Sequence, residues 1–178
     1  NGAADFEMTA AHVDAVDYSR FGALVTAGTV FAEEPSRSAA FRAFGHARDN
    51  GLPSIFDVDY RPYSWPSAAV ASDVLSRAGA LSDVSVGNDE EFGFMAGSMD
   101  KGLDKARELA ATSASIVIYK MGADGAITID ASGEARTGIY PVTALKPTGA
   151  GDSFMAGLLT GIADGLSLDD AVMRGSAC

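Results

Sequence analysis

Residues 114–122 read "ASIVIYKMG". Ile116, Val117, Ile118 and Tyr119 follow one another without a polar interruption, and the run ends on Lys120 and Gly122. A short continuous apolar run rich in β-branched residues marks a strand buried on both faces, because a half-exposed strand would alternate apolar with polar. A strand of this kind belongs in a parallel sheet whose two faces are covered by helices.

The neighbouring segments fit that frame. Upstream, "DKGLDKARELAATS" (100–113) has helical spacing, with Leu103, Ala106 and Ala110 on one face, and "DEEFGFMAG" (89–97) is a second helical stretch. "DVSVGN" (83–88) is a short strand, and "PSAAVASDVLSRAG" (66–79) is a helix started by proline and closed by glycine. "LPSIFDVDY" (52–60) is a strand whose end carries charge. "PSRSAAFRAFGHARDNG" (35–51) is a helix with Ala40, Phe44 and Ala47 on one face. "ALVTAG" (23–28) reads as a strand and "TAAHVDAVDYSRF" (9–21) as a short helix. Downstream, "GAITIDASGEARTGIY" (125–140) reads as a hairpin turning near Ser132-Gly133. The expected fold is a three-layer α/β/α domain with a mostly parallel sheet and helices on both faces.

Composition bounds the function. The chain has 178 residues, 47% hydrophobic and 21% charged, which suits one globular domain. Its net charge of -11 argues against non-specific nucleic-acid binding, which needs a basic surface. The one cysteine, Cys178, allows no intrachain disulfide, which fits a reducing, cytoplasmic setting. The longest apolar stretch, "ALVTAGTVFA" (23–32), falls short of the ~20 residues of a membrane helix. The first residue is not Met and the last segment stops inside a helical pattern, so a fragment of a longer protein is expected.

Parallel sheets bind ligands at the carboxyl ends of their strands. The unusual residues do collect there: Gly28, the run Asp57-Asp59-Arg61, Asn88, Lys120 to Gly122, and Gly149 to Asp152. In "TGAGDSF" (148–154), Gly149, Ala150 and Gly151 leave backbone amides bare at a helix start, a phosphate nest; a glycine-rich entry capped by Asp152 explains the same residues. Asn88 and Glu91 stand at i and i+3, suited to a hydrated magnesium ion or to an acid-rich helix start. Asp57, Asp59 and Arg61 alternate, which puts them on one side if the strand continues; the arginine would fork onto a carboxylate or phosphate, or simply pair with an aspartate. Lys120, Gly122 and Gly125 let backbone approach a ligand, or form a tight turn. His12 and His46 have no companion ligands for zinc, the "GLLTG" spacing (157–161) suits close helix packing, and Met95 and Met99 read as core fillers.

In order, these pieces are D-x-D-x-R-x-x-x-W, N-x-x-E, K-x-G-x-x-G and T-G-A-G-D-S-F. The chain resembles the ribokinase-like, or PfkB, family of sugar kinases over most of its length. Within it, "AEEPSR" (32–37), "FDVDYRPYSW" (56–65) and Lys146 look most like the branch acting on 5-dehydro-2-deoxygluconate in myo-inositol catabolism. The 2-keto-3-deoxygluconate kinases are close behind. The resemblance implies Asp152 as general base, the amides of Gly149, Ala150 and Gly151 as anion hole, and Asn88 and Glu91 on Mg2+. It implies Lys120, Gly122 and Gly125 along ATP, and Arg61 with Asp57 and Asp59 near substrate or phosphate. It also implies a sugar acid and ATP as ligands and no membrane partner, allows a homodimer of the full-length protein, and places an N-terminal substrate and lid region and a final helix outside this chain. Lys146 and Pro147 replace the family's commoner acid, which leaves the monovalent cation open. A rival of another class is a non-catalytic nucleotide- or sugar-binding regulator on the same fold.

Overall fold

The buried run 116–120 forms β4 (Ile116–Lys120), the fourth strand of a six-stranded sheet ordered β1-β2-β3-β4-β5-β6. The computed structural model describes residues 3–142 and 148–178. β1 (Leu24–Ala27), β2 (Ser54–Asp57), β3 (Val84–Asn88) and β4 are parallel. β5 (Ala126–Asp130) and β6 (Gly133–Thr137) continue the sheet as an antiparallel hairpin beside β4. The hairpin turn falls at Ser132-Gly133 as expected, and the Asp130 carboxylate accepts the Ser132 N–H at 2.7 Å.

Strands in sequential order, joined by right-handed crossovers, throw every connecting helix onto the same face. The core follows that rule. α2 (Ser36–Asp49), α3 (Ala68–Gly79), α4 (Asp89–Ala96) and α5 (Gly102–Thr112) pack Ala40, Phe44, Leu75, Ala78, Phe92, Met95, Ala106 and Leu109 against Phe56, Val117, Tyr119 and Ile127. The opposite face is covered by α6 (Ala150–Ala163) and α7 (Leu168–Ser176), whose Phe154, Met155, Leu158, Ala171 and Val172 meet Ile55, Val86, Ile118 and Ala126. Period-2 alternation thus assigns Val117 and Tyr119 to one layer and Ile118 to the other, and the strand is buried twice over. A short helix α1 (Ala10–Asp14) lies against α2, where the Asp14 carboxylate binds Arg42 and, at 2.8 Å, His46 Nε2.

The α6–α7 contact explains the G-x-x-x-G spacing. A Cβ at Gly157 would lie 2.8 Å from the Gly175 Cα, and one at Gly161 would lie 2.9 Å from the Ala171 Cα. Both are closer than van der Waals contact allows, so the two backbones touch because these side chains are missing.

Three sequence expectations change. β2 ends at Asp57, and Asp59 turns to φ 32°, a left-handed conformation uncommon outside glycine. Strand alternation therefore does not carry Asp57, Asp59 and Arg61 onto one side. α3 is capped by the Ser67 hydroxyl, which accepts the Val70 N–H at 3.2 Å, rather than started by proline. Met95 is core, but Met99 is half exposed, because it lies in the short 3-10 turn after α4 ends at Ala96. Among the described residues, no helix is long and apolar enough to cross a membrane.

Candidate active site

The sheet builds the site by register. Asp57, Asn88 and Lys120 are the last residues of β2, β3 and β4. Each has the parity of the residues that face α6 and α7: Ile55 before Asp57, Val86 before Asn88, Ile118 before Lys120. Asn88 pairs in register with Lys120, and Asp57 pairs with Val86 on the intervening strand. Three polar side chains thus end three adjacent parallel strands on the α6 side, where such sheets hold their ligands.

Their charges interact. Burial is the main cause that pushes the Asp57 carboxyl up; the Lys120 ammonium opposes it, and the Asp59 and Asp152 charges add to it. Burial likewise pushes Glu91 up, against the Asn88 backbone hydrogen bond and Lys120. Lys120 therefore sits in the field of a buried acid, Glu91, and a partly buried one, Asp57, and Asp152 lies near enough to be felt by Asp57.

Asn88 and Glu91 are locked together. The Asn88 Oδ1 accepts the Glu91 N–H at 2.8 Å, and Glu91 Oε2 accepts the Asn88 N–H at 2.7 Å. This reciprocal capping box starts α4. Among the described residues, no group of three or more His, Cys, Asp or Glu side chains could hold a metal ion directly. Asn88's single side-chain oxygen and one of the two Glu91 oxygens already serve the backbone, so the pair fits a hydrated ion held through water.

The start of α6 is different. Gly149 is its N-cap at φ 85°, and no side chain among the described residues caps it. Glycine is needed for that left-handed entry. The first helical bond runs from Ser153 N–H to the Gly149 carbonyl at 2.9 Å, so the amides of Ala150, Gly151 and Asp152 lie ahead of the ladder. Among the described residues, nothing stands within 4 Å of a Cβ built on Gly149, and Gly151 would meet only the Lys120 Nζ, at 3.9 Å. The Asp152 side chain is exposed beside them. An uncapped helix start with a neighbouring ammonium attracts an anion.

Arg61 reaches back to Asp59 at 2.6 Å and is itself half exposed. A left-handed turn, not a continuing strand, brings the pair together. Gly125 closes the turn between β4 and β5: its Cβ would stand 2.1 Å from the Thr137 carbonyl oxygen, at φ 84°. Gly122 is exposed one turn earlier. Trp65 is buried, its Nε1 without a partner among the described residues, with the Arg37 guanidinium 5.9 Å from its ring centroid. Lys146 and Pro147 lie outside the described residues. Sequence reasoning passed over Phe154, whose ring lies 5.3 Å from the Lys120 Nζ. The signal was its place three residues after Gly151, on the same helix face.

The pfkB family carbohydrate kinase profile matches residues 1–178. A protein named 5-dehydro-2-deoxygluconokinase from Photobacterium profundum is 38% identical over 183 residues, covering 99% of this chain and 55% of its own length. The crystal structure of a PfkB protein from Polaromonas sp. JS666 superposes with a TM-score of 0.83 at 27% identity, over 96% of this chain and 56% of that one. Fructokinase from Vibrio cholerae O395, solved with fructose, ADP and calcium ion bound, gives 0.78 at 25% identity, over 92% and 56%. The chain spans about half the length of the curated relatives it matches. It belongs to the pfkB family of carbohydrate kinases.

Proposed function

We propose that this chain is the nucleotide-binding and catalytic part of an ATP-dependent kinase for a keto-deoxy sugar acid, best read as 5-dehydro-2-deoxygluconate. One observation carries the reading: an uncapped helix start, a lysine ammonium and an exposed carboxylate converge at the carboxyl ends of a parallel sheet. The substrate class rests on the curated relatives of that name, at 34% and 38% identity.

Asp152 takes the proton from a primary hydroxyl of the sugar acid. The hydroxyl oxygen bonds to the γ-phosphorus as the bond to the β–γ bridging oxygen breaks, and ADP leaves. The amides of Gly149 to Gly151 donate to the oxygens where charge gathers; losing one such donor typically costs about 10²–10³ in rate. Lys120, Gly122 and Gly125 lie along the nucleotide phosphates. Asn88 and Glu91 would hold hydrated Mg2+, which would neutralise phosphate charge. Arg61, steered by Asp59 and near Asp57, faces the substrate carboxylate or phosphate. The reaction belongs in the cytoplasm, with any homodimer and the remaining sugar contacts supplied by the full-length protein.

ADP release by the full-length protein, measured over a panel of sugar acids with MgATP, tests the reading. Turnover with 5-dehydro-2-deoxygluconate or 2-keto-3-deoxygluconate is expected. Nucleotide binding without turnover on any of them would make the protein a binding module instead.

A further inference from the structure

Gly151 and Phe154 stand one helical turn apart on α6, and Lys120 reaches both. Its Nζ lies 5.3 Å from the Phe154 ring centroid and 3.9 Å from where a Gly151 Cβ would be. Phe154 is buried at 8% exposure. Behind it lies Gly175 of α7, where a Cβ would fall 3.0 Å from the ring's Cδ2 and 3.1 Å from its Cε2. The missing side chain on α7 admits the ring, the ring lies beside the ammonium, and the ammonium stands within van der Waals reach of Gly151 at the helix start.

We propose that Phe154, seated in the gap left by Gly175, is a positioning residue that holds the Lys120 ammonium against the mouth of the anion loop. The functional half rests on the kinase reading above; the geometric half does not. The need for such a device is electrostatic. The Asp57 and Glu91 carboxylates, which feel the ammonium, compete for it with an incoming phosphate. The face of an aromatic ring offers a cation a second, uncharged seat without adding another carboxylate to repel the phosphate. A lysine on a four-carbon stem otherwise swings freely, and fixing it before binding removes that ordering cost from nucleotide affinity. Phe154→Leu keeps an apolar filler and deletes the ring face.

The test is a double-mutant cycle on MgADP affinity, by calorimetry, in the full-length protein. Phe154→Leu weakens MgADP about three- to tenfold, the range of a partly desolvated cation–π contact. In a Lys120→Met background the same change has no further effect. An equal loss in both backgrounds makes Phe154 mere packing and overturns the proposal. A second measurement needs no folded variant of Phe154 and no nucleotide: in protein labelled with 13C-lysine, assigned through Lys120→Arg, the Lys120 ε-methylene is shifted by the ring current. A signal at the free-lysine position overturns the placement whether or not ADP binds. A shifted signal in a protein that binds no MgADP upholds the placement and refutes the kinase reading.

Discussion

Replacing Gly157 and Gly161 together by alanine sets two effects against each other. Alanine in place of glycine inside a helix gains roughly 1 kcal/mol per site from backbone entropy. Here each new Cβ would stand 2.8–2.9 Å from the backbone of α7, at the Gly175 Cα and Ala171 Cα. Carbon atoms rest at about 3.5–4.0 Å, so the helices must part by roughly 0.7–1 Å. Forcing extra methyl groups into a packed contact costs about 1–3 kcal/mol per site, and here the obstacle is backbone, which cannot rotate away. The net expectation is a loss of about 2 kcal/mol for the pair, or roughly 4–8 °C in Tm for a domain of this size. Gly45 is the control: it lies inside α2 with nothing among the described residues within 4 Å of its would-be Cβ, so Gly45→Ala should stabilise by about 0.5–1 kcal/mol. Urea unfolding of the purified protein decides. If the double variant gains stability as Gly45→Ala does, the α6–α7 backbone contact is not what those glycines serve.

Other perturbations follow from the same geometry. Burial raises Asp57 above its ordinary 3.8 and Glu91 above 4.5, so the folded state keeps protons that the unfolded chain has already released. Stability therefore falls as pH rises from those ordinary values through the raised ones, then levels; Asp57→Asn should flatten that slope and raise stability at neutral pH, and urea titrations showing an unchanged slope would count against it. Asn88→Ala removes one half of the α4 capping box and should cost about 0.5–2 kcal/mol in thermal unfolding even without Mg2+; a loss seen only with the metal present would contradict the capping role. Arg107→Ala breaks an exposed pair with Glu134 and should change stability by less than about 1 kcal/mol, with that difference shrinking in high salt.

Local physics made much of this fold readable. Ala40, Phe44 and Ala47 are buried on α2 because i, i+4, i+7 spacing allows nothing else against a sheet. Period 2 likewise put Lys120 two places beyond Ile118 on the same face. Strand order was not readable: it depends on which distant strands pair, and no local preference encodes that. The reading of Asp57, Asp59 and Arg61 failed for a local reason. The strand was extended three residues too far, across a left-handed Asp59, a residue type that tolerates that turn conformation without requiring it. Asn88 and Glu91 carried both a metal and a capping signal, and only coordinates show how much of each side chain the backbone already uses. Phe154 was invisible as a partner of Lys120 because 34 residues of chain separate two atoms that the fold brings to 5.3 Å.

The central claim is that Asp152 is the base beside an anion-binding helix start. Asp152→Asn keeps the shape and removes the proton acceptor. In the full-length protein with its best sugar acid, kcat should fall by about 10²–10⁴ while the MgATP dissociation constant changes little. Near-normal turnover in that variant would contradict the assignment of Asp152.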